Sequence, residues 1–132
     1  MSTGERFLVD TSAWIETLRA NGDAAMRARV RELAMDDRAV LCDMVRVELW
    51  NGARSTGDRR LLGELEEQLE TVSTPAEVWA AARDLARASR AKGITVPAAD
   101  LVIAACAEHH GLGLIHCDAH FEQLKELRGK VG

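Results

Sequence analysis

Short apolar runs of strand length alternate along this chain with longer stretches whose apolar positions recur at helical spacing. Residues 6–10 read as a strand leading into a helix that begins near Ser12, with Thr11 or Ser12 as its cap and Trp14, Ile15 and Leu18 on one face. Asn21-Gly22-Asp23 breaks that helix, and a second covers residues 24–35, where Met26, Val30 and Leu33 fall at i, i+4 and i+7. Residues 39–42 form a buried strand. Asp43 then caps a helix carrying Val45, Glu48, Leu49 and Gly52, and Ser55-Thr56-Gly57-Asp58 separates it from a helix over residues 61–69. Thr74-Pro75-Ala76-Glu77 has the form of a capping box with proline at the first helical position, opening a long helix that ends near Lys92-Gly93. Pro97 starts the next helix, which stops at His110-Gly111. A strand over 112–116 and a closing helix over 118–127 complete the pattern, and the tail 128–132 is open to a final edge strand. Strands alternating with helices predict an α/β fold: one domain over residues 1–132, with a mostly parallel sheet of four or five strands flanked by helices.

Composition narrows the class without naming a function. The 132 residues suffice for one core, and 47% hydrophobic with 29% charged residues is ordinary for a globular protein. The opening MSTGERF carries no signal-peptide pattern, and the longest purely apolar stretch, residues 101–107, is far too short to span a bilayer. Cys42, Cys106 and Cys117 are odd in number and sit beside apolar neighbours, which fits buried thiols in a reducing cytoplasm better than disulfides. A net charge of −4 speaks against nucleic acid as a partner, unless clustered acids hide basic surface elsewhere.

Four acids supply that cluster. Asp10, Glu48, Asp100 and Asp118 each follow an apolar strand-like run or sit in the first turns of a helix. In parallel α/β sheets the crevice at the carboxyl ends of the strands is where ligands bind. Each acid also has a plainer reading. Asp10 and Asp118 could cap helices, Glu48 could be a solvated surface residue, and Asp100 could favour a helix dipole. Two further cap candidates follow Asp10, however, and Glu48 lies among Val47, Leu49 and Trp50. Asp100 opens an almost purely apolar helix, where an unpaired charge is expensive. Carboxylates brought together repel one another, and a hard divalent cation such as Mg²⁺ or Mn²⁺ reverses that cost.

The stretches FLVDTSAWIE, VELWNG, PAADLVIAACAEHHG and LIHCDAHF together resemble the PIN-domain ribonucleases, and within them the VapC-type toxins of toxin–antitoxin pairs. The resemblance implies a parallel sheet between helices and a cytoplasmic, homodimeric endoribonuclease using Mg²⁺ or Mn²⁺. It also implies an antitoxin whose C-terminal segment covers the acidic pocket. Asp10, Asp100 and Asp118 would hold the ion. Glu48 would orient or deprotonate the attacking water, in an in-line attack leaving 5′-phosphate and 3′-hydroxyl ends. Ser12 would support the metal site. The chain departs from the family's Asp-x-Asp-Phe motif, reading Asp118-Ala119-His120-Phe121, and His116 stands where a threonine is frequent. His120 therefore takes the place of a further metal-ligating acid, which favours Mn²⁺ and one well-held ion with a weaker or substrate-assisted second.

Arginines are available for an RNA backbone: Arg83, Arg87 and Arg90 at i, i+4, i+7, and Arg46 with Arg54, Arg59 and Arg60 around the helix bearing Glu48. Solvated surface is the plainer reading for all of them. Trp14, Trp50 and Trp79 are candidate anchors for an antitoxin peptide or a dimer contact, against simple core packing. Three rival functions remain. Cys106-x-x-His109 with His116-x-x-x-His120 has the outline of a zinc-stabilised binding module. Asp10 could be an aspartyl-phosphate nucleophile, although Ser12 stands where such enzymes carry a second acid. A degenerate PIN-like module that only binds RNA or protein is the third.

Overall fold

The computed structural model describes the backbone of residues 4–131 and the side chains of residues 4–127; residues 1–3, at the start of the segment read for a signal peptide, lie outside the described residues, as does Gly132. Four parallel strands form the sheet: β1 (Phe7–Val9), β2 (Ala39–Cys42), β3 (Thr71–Val72) and β4 (Gly113–Ile115), in the order β3-β2-β1-β4. Among the described residues seven helices flank it: α1 (Thr11–Leu18), α2 (Ala24–Met35), α3 (Asp43–Asn51), α4 (Thr56–Gln68), α5 (Ala76–Ala91), α6 (Ala98–His109) and α7 (Ala119–Val131). The expected single α/β domain is what the chain forms.

β1 is central because its Leu8 and Val9 are fully buried and its neighbours are continuous apolar runs. Phe7 pairs with Ala39 on one side and Gly113 on the other. A Cβ at Gly113 would meet the Phe7 ring at 2.5 Å, so only glycine lets β4 approach there. The chain adds β2 and β3 on one side of β1, then crosses to place β4 on the other. That reversal puts a crevice at the carboxyl ends of the strands. α6 forms the other wall: Leu101, Val102, Ile103, Ala105, Cys106 and Ala107 are buried, and a six-residue connection (92–97) folds α5 back against it.

Several local expectations are corrected. Asp10, not Thr11 or Ser12, caps α1, its side chain accepting from the Ser12 amide. Asp43 lies in the first turn of α3; Cys42 holds the cap position without a side-chain bond. The capping box does not form, because α5 starts at Ala76 after Pro75 and the Thr74 hydroxyl is turned inward beside the Cys106 thiol. α4 begins at Thr56, where Ser55 accepts from the Asp58 amide, so the turn-like Ser55-Thr56-Gly57-Asp58 is a helix start. β3 is two residues long and leaves no apolar run to read. The tail continues α7 to Val131 rather than forming an edge strand. Cys42 and Cys106 are buried, but Cys117 is exposed in the loop after β4.

Candidate functional site

Asp10, Asp100 and Asp118 hang on the carboxyl end of a strand or the start of a helix lining the crevice, and Glu48 lies midway along α3. Asp10 leaves β1 as the cap of α1 and is buried, at 2% exposure. Its Oδ2 accepts from the Ser12 amide at 3.0 Å and from the Ser12 hydroxyl at 2.6 Å. Ser12 Oγ in turn accepts from the Cys117 amide at 2.9 Å, tying the start of α1 to the loop that carries Asp118. Ser12 thus fixes both the Asp10 rotamer and the position of that loop. Asp10 Oδ1 remains buried without a hydrogen-bond partner.

Glu48 projects from α3 and is half-buried. Its Oε1 accepts from Thr11 Oγ1 at 2.6 Å, which brings it beside Asp10's helix. It also borders a groove of about 620 Å³ between α1, α3 and α4, lined by Ile15, Leu18, Leu49, Leu61 and Leu62, with Arg19 and Arg54 at its polar edge.

The densest part of the crevice joins Asp100, Asp118 and His120, which each offer a ligand atom within 4.8 Å of the others. His120 Nδ1 stands 2.8 Å from Asp118 Oδ1 and 3.3 Å from Asp100 Oδ2. Neither contact aligns as a hydrogen bond, and both His120 Nδ1 and Asp100 Oδ2 are buried without a partner. The His120 backbone N–H donates to Asp118 Oδ1 at 2.9 Å, so one tight turn at the start of α7 presents both side chains together. Behind it, His116 Nδ1 accepts from the Asp118 amide at 3.2 Å. Its proton therefore sits on Nε2, facing Glu122 at 3.3 Å.

Electrostatics express the crowding. Burial first, then the charges of Asp118 and Asp10, push Asp100 up to about 7. Burial also pulls Asp118 upward, but the His120 amide, the Asp100 carboxyl and the His120 ring outweigh it, and its net shift is downward. One proton is thus held at Asp100 while its neighbour stays ionised. A divalent cation replaces that proton with two positive charges. Asp100, with its orphaned buried oxygen, and Asp118 offer hard oxygen ligands of the kind such a cation takes. Asp10, also carrying an orphaned buried oxygen, lies outside that tight group and acts on Asp100 through its charge.

The other candidates separate. Arg46 is drawn to Glu66 at 2.5 Å and Asp43 at 3.5 Å, so its charge is already matched. Arg83, Arg87 and Arg90 are exposed on α5, with Arg90 on the end nearest the start of α6. Trp14 is core, whereas Trp50 and Trp79 are 38% and 50% exposed and bonded to Glu66 and the Thr74 carbonyl. The zinc pattern does not assemble. Cys106 is buried with its thiol 3.6 Å from the Ser73 carbonyl, His109 is exposed, and His120 faces the acids. Sequence reading missed Thr11 and Arg19, whose roles depend on which helices meet.

A model of the PIN domain family matches residues 7–127. Ribonuclease VapC21 of Mycobacterium tuberculosis is 38% identical over 125 residues, 92% of this chain and 88% of that protein. Among solved structures, FitAcB of Neisseria gonorrhoeae superposes with a TM-score of 0.75 at 23% identity, covering 90% of this chain and 93% of that one. VapBC-5 of M. tuberculosis, a member of the VapBC family of toxin–antitoxin systems, gives 0.67 at 24% identity over 92% and 91%. The strand order and the acidic crevice meet a family match that runs through both, and this chain belongs to the PIN-domain family, grouping there with the VapC proteins.

Proposed function

We propose that this chain is a divalent-metal-dependent endoribonuclease, the toxin of a type II toxin–antitoxin pair, with residues 1–132 acting as one nuclease domain. The observation that carries the reading is a pair of buried, unpartnered carboxylate oxygens on Asp10 and Asp100, the latter grouped with Asp118 and His120. Asp10, Asp100 and Asp118 would hold the cation, Mg²⁺ or Mn²⁺, with Ser12 and His120 supporting. When bound, the cation lowers the pKa of a water and neutralises charge on the phosphoryl oxygen. Glu48, held by Thr11, would take or orient the proton of the attacking water. In-line displacement of the 3′ oxygen leaves 5′-phosphate and 3′-hydroxyl ends. Ser12 pins Asp10 Oδ2 at the start of α1, and the buried walls of β1 and α6 exclude bulk water.

The groove beside Glu48 suits two polymers in turn. Arg54 at its edge offers a phosphate contact to RNA, with Arg90 a second contact from α5. Its apolar floor, with Ile15 at 46% and Leu61 at 42% exposure, suits a C-terminal antitoxin segment whose arginine or lysine would pair with the acids. A homodimer working in the cytoplasm completes the reading; among the described residues no helix is long and apolar enough to cross a membrane.

The test is cleavage of RNA by the purified chain with Mg²⁺ or Mn²⁺, beside Asp10→Asn and Asp100→Asn. Metal-dependent cutting by the wild type alone, abolished by EDTA, is expected. Equal activity in all three proteins, or cutting that survives EDTA, defeats the proposal.

A further inference from the structure

The tightest group of ligand atoms in the crevice is not purely acidic. Its three members are two carboxylates and an imidazole, Asp100, Asp118 and His120. The imidazole is not there by accident of a mobile side chain. The His120 amide is fastened to Asp118 Oδ1, and the ring nitrogen nearest the acids, Nδ1, is buried without an aligned partner. The histidine side chain as a whole is 38% exposed, so the ring reaches from solvent inward and turns Nδ1 to the site. A buried ring nitrogen that lies 2.8 and 3.3 Å from carboxylate oxygens without an aligned hydrogen bond is costly, and an ion shared with those carboxylates would satisfy it through a coordinate bond.

We infer that His120 sets the metal preference of this site, selecting a transition cation of the Mn²⁺ type over Mg²⁺ by offering Nδ1 as a ligand. The inference rests on the metal-site reading given above and adds to it a choice of ion. Two physical effects point the same way. Mg²⁺ takes hard oxygen ligands and gives up its waters reluctantly, whereas imidazole nitrogen suits the first-row transition cations. A neutral ring also withholds the negative charge that a carboxylate at this position would add, and Mg²⁺, bound mainly by charge, loses most from that. The Asp118 to His120 turn fixes the ring 2.8 Å from one acid and 3.3 Å from the other, so the nitrogen and both carboxylates can face one ion without rearranging the backbone.

Binding to the metal-free full chain tests this without any activity readout. Free Mn²⁺ is counted by its paramagnetic resonance signal, Mg²⁺ competes for the site, and pulsed resonance reads nitrogen coupling to bound Mn²⁺. Wild type, His120→Asp, His120→Asn and Asp100→Asn are compared. The wild type should show a directly coupled nitrogen that both His120 variants lose. The ratio of Mn²⁺ to Mg²⁺ affinity should fall by about tenfold or more in His120→Asp, on the scale of ligand and near-ligand changes. His120→Asn can keep the turn, so loss of nitrogen coupling there reports the ring rather than misfolding. No nitrogen coupling in the wild type, or an unchanged ratio in His120→Asp, overturns the inference. Asp100→Asn separates the two levels of the argument. If it binds Mn²⁺ like wild type, the metal-site reading itself falls and the inference with it. If it loses Mn²⁺ while His120→Asp keeps the wild-type ratio, only the role of His120 falls.

Discussion

Asp100 concentrates the conflict between stability and function in this chain. It is 7% exposed, faces two other acids and has an oxygen with no partner. Folded, it keeps its proton to about pH 7; unfolded, it releases it near 3.8. Between those values the folded state binds more protons than the unfolded one, so stability falls as pH rises through the window. Asp118 shifts the other way, and its contribution is lost only below about 3.8, outside that window. The metal-free protein should therefore melt at a higher temperature at pH 5 than at pH 7.5, with saturating Mn²⁺ removing the difference; a melting temperature flat or rising across that range contradicts the crowding described here. Asp100→Asn removes the repulsion at its centre. At pH 7.5 without metal it should melt higher by roughly 4 °C, about 1 kcal/mol for a domain of this size, while losing the metal-induced rise seen in wild type. Its cleavage rate should fall by at least ~100-fold, the scale for removing one group from a preorganised electrostatic site. At this scale the sequence offered Asp10, Glu48, Asp100 and Asp118 as candidates, because each follows an apolar run or sits in the first turns of a helix. It could not reveal that Asp10 caps its helix as well as facing the site, since one oxygen does each job.

Elements meet at Ser12. Its hydroxyl donates to Asp10 and accepts from the Cys117 amide, so the β1–α1 and β4–α7 junctions are stapled by one side chain across 105 residues of sequence. Ser12→Ala should cost about 1–2 kcal/mol, the scale of leaving partly buried partners unsatisfied. Amide exchange at Cys117 should quicken in that variant. An unchanged exchange rate would mean the staple contributes nothing. The turn between α1 and α2 is similarly specific, because a Cβ at Gly22 would lie 1.8 Å from the Glu16 carbonyl oxygen. Helix periodicity and turn residues made most elements readable, since α2 and α5 each bury one regular face and α6 is apolar nearly all round. What escaped was set by partners distant in sequence. β3 exists because Leu41 and Cys42 offer a ladder to Thr71 and Val72, and Thr74 leaves its cap role because Cys106 lies beneath it.

For the whole molecule, the parallel sheet brings Asp10, Asp100 and Asp118, separated by up to 108 residues, to one crevice, with Glu48 in the groove beside it. Arg54 at the groove's edge should act on RNA through charge alone. Arg54→Gln is expected to weaken RNA binding at low salt and to reduce the slope of log affinity against log salt by about one, leaving Mn²⁺ affinity unchanged. An unaltered slope would place the RNA elsewhere. The fold class was legible because β-α alternation is a local signal. The groove was not, because α1, α3 and α4 meet only in three dimensions. The central claim is that four separated segments share one cation, and anomalous diffraction from crystals grown with Mn²⁺ tests it most directly. The account predicts a strong anomalous peak between the carboxylates of Asp10, Asp100 and Asp118, with Glu48 facing it. A well-ordered crystal with saturating Mn²⁺ and no peak there, or with those side chains turned apart, would contradict it.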